Sequence, residues 1–212
     1  FNRKWAIETG LLEHVYYIDR GITQTLIEQG LDAAFIPHGG SSKPAEETIA
    51  IIQDQESVVK SLFDFVGNQR ALSVSYIKSL HQELFRHQRT TQAVDVNGNL
   101  VDVPLLVGEW KKQPNSPQRA DGSVHEYCPP VHVDSEMERL IAFHEMHVRD
   151  HIDPIIEAAW LHHRFSQIHP FQDRNGRVAR TIASVVMIKA DLFPLIINSD
   201  SKSKNRYFDA LE

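Results

Sequence analysis

Apolar residues recur at helical spacing over most of the chain, and the interruptions mark its joints. From Trp5 to Gln29 the positions Ile7, Leu11, Leu12, Val15, Ile18, Ile22, Leu26 and Ile27 follow a period of about 3.6 residues. This predicts a long or broken amphipathic helix with Gly10 and Gly21 as weak points. The breaker-rich stretch from Ile36 to Pro44 reads as a linker or loop, and helical periodicity returns over Glu46 to Val66 and over Ser75 to His87. Between Val94 and Cys128 the pattern changes. Val94 and Val96 alternate with polar residues, Asn97-Gly98 and Asp121-Gly122 suit tight hairpin turns, and Pro104, Pro114 and Pro117 interrupt, so a small β region is expected. Helices resume after Pro129-Pro130. Ser135-x-x-Glu138 matches a capping box, Asp153-Pro154 opens a second helix, and the run Val178, Ile182, Val185, Val186 belongs to a third that ends near Lys189. The expected class is mainly α, a helical bundle with one β excursion.

Composition narrows the function classes. With 212 residues, 22 Lys+Arg against 28 Asp+Glu and a formal charge of −6, the chain offers no general attraction for phosphate backbones, and no local basic patch compensates. Nucleic acid is therefore excluded as the expected partner. One cysteine, Cys128, rules out an intrachain disulfide and a cysteine zinc cluster and fits a reducing compartment, so a cytoplasmic location is expected. There is no apolar run of membrane-spanning length and no charged-then-apolar leader, so no membrane partner is expected.

The chemistry concentrates in the stretch that runs from Ile168 through His169 to Arg180. A loop entering a helix N-terminus presents unpaired N–H groups and a positive dipole end, so the residues around Asn175 and Gly176 suit a phosphate. Arg177 and Arg180 lie three apart on the following helix and can hold different oxygens of a polyphosphate. Asp173 is a hard oxygen ligand of the kind that holds Mg²⁺ beside phosphates, or alternatively a helix cap. His169 is a candidate proton acceptor. By contrast, His144, His147 and His151 lack the zincin spacing and read as surface or helix-end residues, and His162-His163 reads as packing beside Trp160.

His169-Pro-Phe-Gln-Asp-Arg-Asn-Gly-Arg-Val-Ala-Arg180 resembles the signature loop of Fic proteins, His-Pro-Phe-x-Asp-Gly-Asn-Gly-Arg-x-x-Arg, with one fixed position changed. Gly108 to Asn115 is similar to that family's flap hairpin, and Tyr127 to Pro130 to the segment after the flap. The resemblance implies a Fic-type helical bundle with a β-hairpin flap, with an N-terminal helical region at 1–66 and the Fic domain at 67–212. It implies a protein adenylyltransferase that moves AMP from ATP to a Ser, Thr or Tyr hydroxyl of a target protein, itself included. The cofactors implied are ATP and Mg²⁺, and a homodimer is left open. His169 would be the base, Asp173 the Mg²⁺ ligand, and Gln172, Arg174, Asn175, Gly176, Arg177, Arg180 and Tyr207 the nucleotide contacts. Lys111, Lys112, Gln113 and Pro114, within a flap taken as Lys111 to Gln118, would dock the target.

Fic proteins often carry an inhibitory Ser/Thr-x-x-x-Glu-Gly/Asn helix whose glutamate pairs with the second signature arginine. Lys4-Trp-Ala-Ile-Glu8-Thr9 is the nearest candidate in this reading, with Glu8 as the brake on Arg180. Arg174 stands where the family has glycine. At positive φ it costs roughly 1–2 kcal/mol, and its side chain either obstructs a phosphate or adds a further cation. The alternatives kept are a related phosphate-group transferase or a de-AMPylase of the same fold, and a regulatory module that binds nucleotide without turnover.

Overall fold

The computed structural model describes residues 1–95, 97–117 and 122–211. Val96, Gln118 and Asp121, which belong to the expected hairpin and flap, lie outside the described residues. The described elements are α1 (Asn2–Leu12), α2 (Arg20–Gln29), α3 (Ala45–Gly67), α4 (Val74–Leu84), β1 (Thr90–Val94), β2 (Leu100–Pro104), α5 (Val133–Arg149), α6 (Pro154–Ile168), α7 (Asn175–Lys189) and α8 (Ser201–Asp209). Two short 3-10 turns sit at Ala33–Phe35 and Pro130–His132. Among these helices none is long and apolar enough to cross a membrane.

Two apolar clusters meet along α3. The larger gathers Val58, Leu62 and Phe65 of α3 with Ile77 and Leu80 of α4, Met137 and Leu140 of α5, Leu161 and Phe165 of α6, and Val178, Ile182 and Val185 of α7. The smaller takes Ala6 and Ile7 of α1, Leu26 of α2 and Ile49, Ile51 and Ile52 from the first half of α3. At about 25 cal/mol per Å² of apolar surface removed from water, these contacts set the relative positions of the helices far more than helix propensity does. The consequence for function is placement: α1 is fixed so that its C-terminal end faces α7.

The N-terminal pattern resolves into two helices, and the break falls at residues 13–19 rather than at Gly10 or Gly21. Gly10 stays inside α1 because Tyr16 folds back against it, leaving no room for a Cβ, and the Tyr16 hydroxyl donates to the Ile7 carbonyl at 3.2 Å. The expected capping box at Ser135 does not form. Helix α5 begins at Val133, and Ser135 Oγ donates to the His132 carbonyl at 3.0 Å. Asp153 caps α6 as the sequence predicts, accepting from Ile155 N at 2.8 Å, with Pro154 in the first turn.

Strands β1 and β2 form an antiparallel hairpin with Thr91 opposite Val103 and Val94 opposite Leu100. Its turn is tied by Asp95 Oδ1, which accepts from Asn97 N at 2.8 Å and Asn99 N at 2.9 Å. The hairpin therefore lies before the Gly108–Asn115 segment read as the flap. That segment is itself pinned to the loop between α6 and α7: Trp110 bridges to Phe171, and Lys111 N donates to the Pro170 carbonyl at 2.8 Å.

Candidate active site

Helices α6 and α7 pack side by side, and the six residues between them, His169 to Arg174, cross one end of the pair. Two of the six take left-handed backbone, His169 at φ 50° and Arg174 at φ 70°. The loop is braced from within. Asn175 accepts from Phe171 N and donates to Phe171 O, both at 2.9 Å, and is 2% exposed, so its amide is used in building the bend. Gln172 Oε1 accepts from Leu106 N at 2.8 Å, tying the loop to the segment after β2. Asn115 Nδ2 donates to the Phe171 carbonyl at 2.8 Å.

His81 of α4 lies fully buried beneath this bend. Gly108 N donates to its Nδ1 at 3.0 Å, so the proton is on Nε2, which donates to the Asp173 carbonyl at 3.3 Å. The ring stacks on Phe171 with centroids 4.0 Å apart. Sequence spacing does not single it out: nothing around His81 distinguishes it from a core residue, and only the tertiary fold brings it to the loop.

His169 presents a defined face. Its Nδ1 lies 3.1 Å from the Ser166 carbonyl and donates to it, which leaves Nε2 as the proton acceptor. Tyr127 stacks on the ring at 3.8 Å with planes 6° apart. Burial, helped by the Lys111 cation, lowers its pKa to about 4, so the imidazole is neutral at pH 7. His169 and Asp173 line a cavity of about 1440 Å³ together with Gln172, Arg174, Thr90, Thr91 and Glu13. This is ample space for a nucleotide and a length of extended peptide.

Asp173 is more engaged than the sequence suggests. Oδ1 accepts from Arg174 N at 2.6 Å, while Oδ2 accepts from Thr91 Oγ1 and lies 3.3 Å from Arg174 Nε. Burial raises its pKa, but the Arg174 cation and the Thr91 and Arg174 N hydrogen bonds outweigh that and hold it below the usual carboxylate range. A divalent ion on Oδ2 would have to displace both Thr91 and a guanidinium. The Mg²⁺ expected on Asp173 does not fit this arrangement.

The two arginines of α7 are enclosed. Arg177 is 0% exposed, donates to Gln88 Oε1 at 3.0 Å and lies over the Phe85 ring at 4.3 Å, with burial and the Arg174 charge lowering its pKa. Gln55, oriented to satisfy both neighbours, accepts from Arg177 Nη1 at 3.3 Å and donates to the Ala6 carbonyl at 3.2 Å. Arg180 Nη1 donates to the Tyr207 hydroxyl at 3.1 Å, and that hydroxyl lies 2.9 Å from His162 Nε2. So Tyr207 of α8 does reach the arginine pocket, and His162 is a hydrogen-bonding partner within it rather than packing alone.

The carboxylate that meets Arg180 is Glu13, not Glu8. Glu13 Oε1 accepts from Arg180 Nη2 at 2.6 Å, whereas Glu8 Oε2 accepts from Ser199 N at 2.7 Å. Burial raises the Glu13 pKa, but the charges of Arg180 and Arg177 and the Arg180 hydrogen bond bring it below its ordinary value. Glu13 also covers the start of α7. A Cβ on Gly176 would lie 2.6 Å from Glu13 Oε1, so glycine there is what lets an anion approach the first turn. The Glu13 carboxylate, held by Arg180, therefore lies against the first turn of α7. The signal was present in the sequence as Thr9-x-x-x-Glu13-His14, with His14 in the left-handed conformation, φ 51°, that glycine or asparagine would favour.

Of the residues expected to dock a target, Lys111 is buried. Its ammonium donates to Asn115 Oδ1 at 2.7 Å and to the Ile168 carbonyl at 3.4 Å, and burial lowers its pKa to about 8. It caps α6 from below His169 instead of facing solvent. Lys112 is exposed and pairs with Glu109 at 3.0 Å, and Gln113 and Pro114 line the cavity. The helix-end reading of His144 is also corrected. It is 5% exposed, and with His147 it holds the buried Glu157 carboxylate, at 2.7 and 2.5 Å respectively, joining α5 to α6.

The Fic/DOC family profile matches residues 71–187, more than half of the 212-residue chain, and the match contains the whole bend and both arginines. The chain belongs to the Fic/DOC family. It is similar to a protein adenylyltransferase Fic of Nematostella vectensis, 22% identical over 98% of this chain and 44% of that protein. It thus spans less than half the length of that relative. Among solved structures it resembles a Fic-domain-containing signalling protein of Bacteroides thetaiotaomicron, with a TM-score of 0.77 and 23% identity over 100% of this chain and 70% of that one. It also resembles residues 134–508 of Fic-1 from Caenorhabditis elegans, with a TM-score of 0.71 and 18% identity over 99% of this chain and 54% of that one. These likenesses carry the fold: a Fic bundle of α-helices with a two-stranded hairpin over the signature loop.

Two buried histidines and one half-buried one around the Fic loop give the fold an acid limit. His81, His162 and His169 each have a pKa lowered to about 4, chiefly by burial, against an ordinary value of 6.5. The unfolded chain takes up these protons as pH falls below 6.5, and the native state refuses them until about 4. Their stabilisation is therefore complete above 6.5 and is lost between 6.5 and 4. With three protons at stake, the unfolding free energy should fall by up to about 4 kcal/mol per pH unit in that window. Urea titrations at pH 7, 6 and 5 measure it; a flat dependence would contradict the burial of these rings.

Proposed function

We propose that this chain is a protein adenylyltransferase, transferring AMP from ATP to a hydroxyl side chain of a target protein. The observation that carries the reading is the pairing of a neutral His169, whose Nδ1 is committed to Ser166, with a carboxylate that Arg180 holds against the first turn of α7, where a phosphate would sit. The names of the curated relatives point the same way.

In this reading the triphosphate enters the cavity by replacing the Glu13 carboxylate at Gly176 and Arg180. His169 Nε2 accepts the proton of the target hydroxyl as its oxygen bonds to the α-phosphorus. The bond from that phosphorus to the bridging oxygen breaks, and pyrophosphate leaves with the electron pair. Arg180, released from Glu13, and the first-turn N–H groups of α7 neutralise the charge on the departing oxygens. Tyr127 and the Ser166 carbonyl hold the imidazole in the one tautomer that can do this. The exposed strand β1 lines the same cavity and offers main-chain groups to an extended target segment.

Label position tests the reaction class. Incubation with ATP carrying ³²P at the α-phosphate should leave label on protein, and ATP labelled at the γ-phosphate should not. Label from the γ position only would indicate phosphoryl transfer and overturn the proposal.

A further inference from the structure

The residue that breaks the family pattern sits where the charge balance of the site is decided. Arg174 holds φ 70° and ψ 16° as the residue before α7, a conformation unfavourable for any side chain with a Cβ, and its own side chain makes no capping hydrogen bond. The side chain instead folds over the preceding residue. Nε lies 3.3 Å from Asp173 Oδ2, and Nη2 donates to the Thr90 carbonyl of β1 at 3.4 Å. The arginine side chain is 21% exposed and lines the cavity, while Nε has no hydrogen-bond partner of its own. Asp173 is thus paired with a monovalent cation that lines the same cavity, and beyond Nε and Nη2 the guanidinium carries further donors, on Nη1, for a second anion.

We propose that Arg174 is a built-in counter-ion of the phosphate site: its guanidinium bridges Asp173 and the bound polyphosphate in place of a divalent ion, so that nucleotide binds without metal. This rests on the nucleotide reading above. A guanidinium matches phosphate oxygens through paired N–H donors, which a single positive charge needs in order to compete with a divalent ion. The like charges of Arg177 and Arg174 add to the field at the same end of α7 and favour an incoming anion over an incoming cation.

The test uses the Glu13→Gly protein, so that the resident carboxylate does not mask binding. Its affinity for a fluorescent ATP analogue is measured with Mg²⁺ and with EDTA. The expected result is a change of less than about threefold, whereas the Glu13→Gly/Arg174→Gly double variant should weaken about tenfold or more on chelation, one decade being the worth of a good charge-assisted contact. Arg174→Gln, which keeps the bulk and drops the charge, should weaken binding under both conditions. Glycine relieves the strained φ, so the variant should fold at least as stably, which thermal melting checks. Equal loss of affinity on chelation with and without Arg174 would overturn the inference and leave the nucleotide reading standing. Failure of every form to bind the analogue in either condition would overturn both.

Discussion

Replacing His169 with alanine in the Glu13→Gly protein should reduce transfer of α-label by about 10²- to 10⁴-fold, the range over which a positioned general base contributes. Binding of nucleotide should change by less than about threefold, because the anion site is assembled from α7 and not from the imidazole. The direction of the ring decides this: Nδ1 is committed to the Ser166 carbonyl, so Nε2 is the nitrogen that takes a proton. His169→Asn is the informative companion. Asparagine tolerates the left-handed backbone at this position and retains a donor for Ser166, so the bend survives while the base is lost. Equal loss in both variants identifies proton transfer. If His169→Asn kept more than about a tenth of the rate, the role of the ring would be to shape the bend, and the assignment of the base would fail.

Glu13→Gly should act in opposite directions on stability and on ligand binding. Without ligand, removing the carboxylate leaves Arg180, whose side chain is 2% exposed, facing only the Tyr207 hydroxyl. An uncompensated buried charge costs about 3–5 kcal/mol, and because the Glu13 side chain is 23% exposed the lower part of that range applies. For a chain of this size that corresponds to a fall in melting temperature of about 10 °C. With ATP present the loss should be recovered, since a phosphate replaces the carboxylate at Arg180 and above Gly176. The affinity for ATP should rise by roughly 10- to 100-fold, equivalent to about 1.4–2.8 kcal/mol released from competition. Thermal shifts with and without nucleotide read both effects in one experiment. Glu8→Gly serves as the comparison: it loses the Ser199 contact but should leave ATP affinity unchanged. A gain in affinity from Glu8→Gly and none from Glu13→Gly would reverse the assignment.

Much of this could be seen in the residues alone. The boundaries of α3, α6 and α7 follow from apolar spacing and from Pro44 and Asp153-Pro154, because single strong breakers and caps decide where helices begin. The loop could be picked out because it is local: histidine, aspartate, glycine and arginines lie within one short stretch. What escaped was set by contacts distant in sequence. Glu8 and Glu13 lie only five residues apart in one amphipathic segment, and only the left-handed turn at His14 shows that the chain reverses directly after Glu13 and aims it at α7. Lys111 and Lys112 look alike in sequence; the Trp110–Phe171 bridge buries the first and leaves the second in water. His81 and Thr91 reach Asp173 across separations of 92 and 82 residues, which no periodicity encodes.

Glu8 and Trp5 acquire a meaning from the contacts they do make. The Trp5 indole N–H donates to the Leu195 carbonyl at 2.9 Å and Glu8 receives Ser199 N, so α1 is laced to the strap that leads into α8 and Tyr207. The helix that ends in Glu13 and the helix that bears the second partner of Arg180 are therefore one mechanical unit. Sliding α1 outward would drag that strap and Tyr207 along with it, whereas swinging the single Glu13 side chain leaves the lacing intact. Opening by rotation of one carboxylate is the lighter movement, and a pull on the first residues of the chain is the heavier lever acting on the same joint.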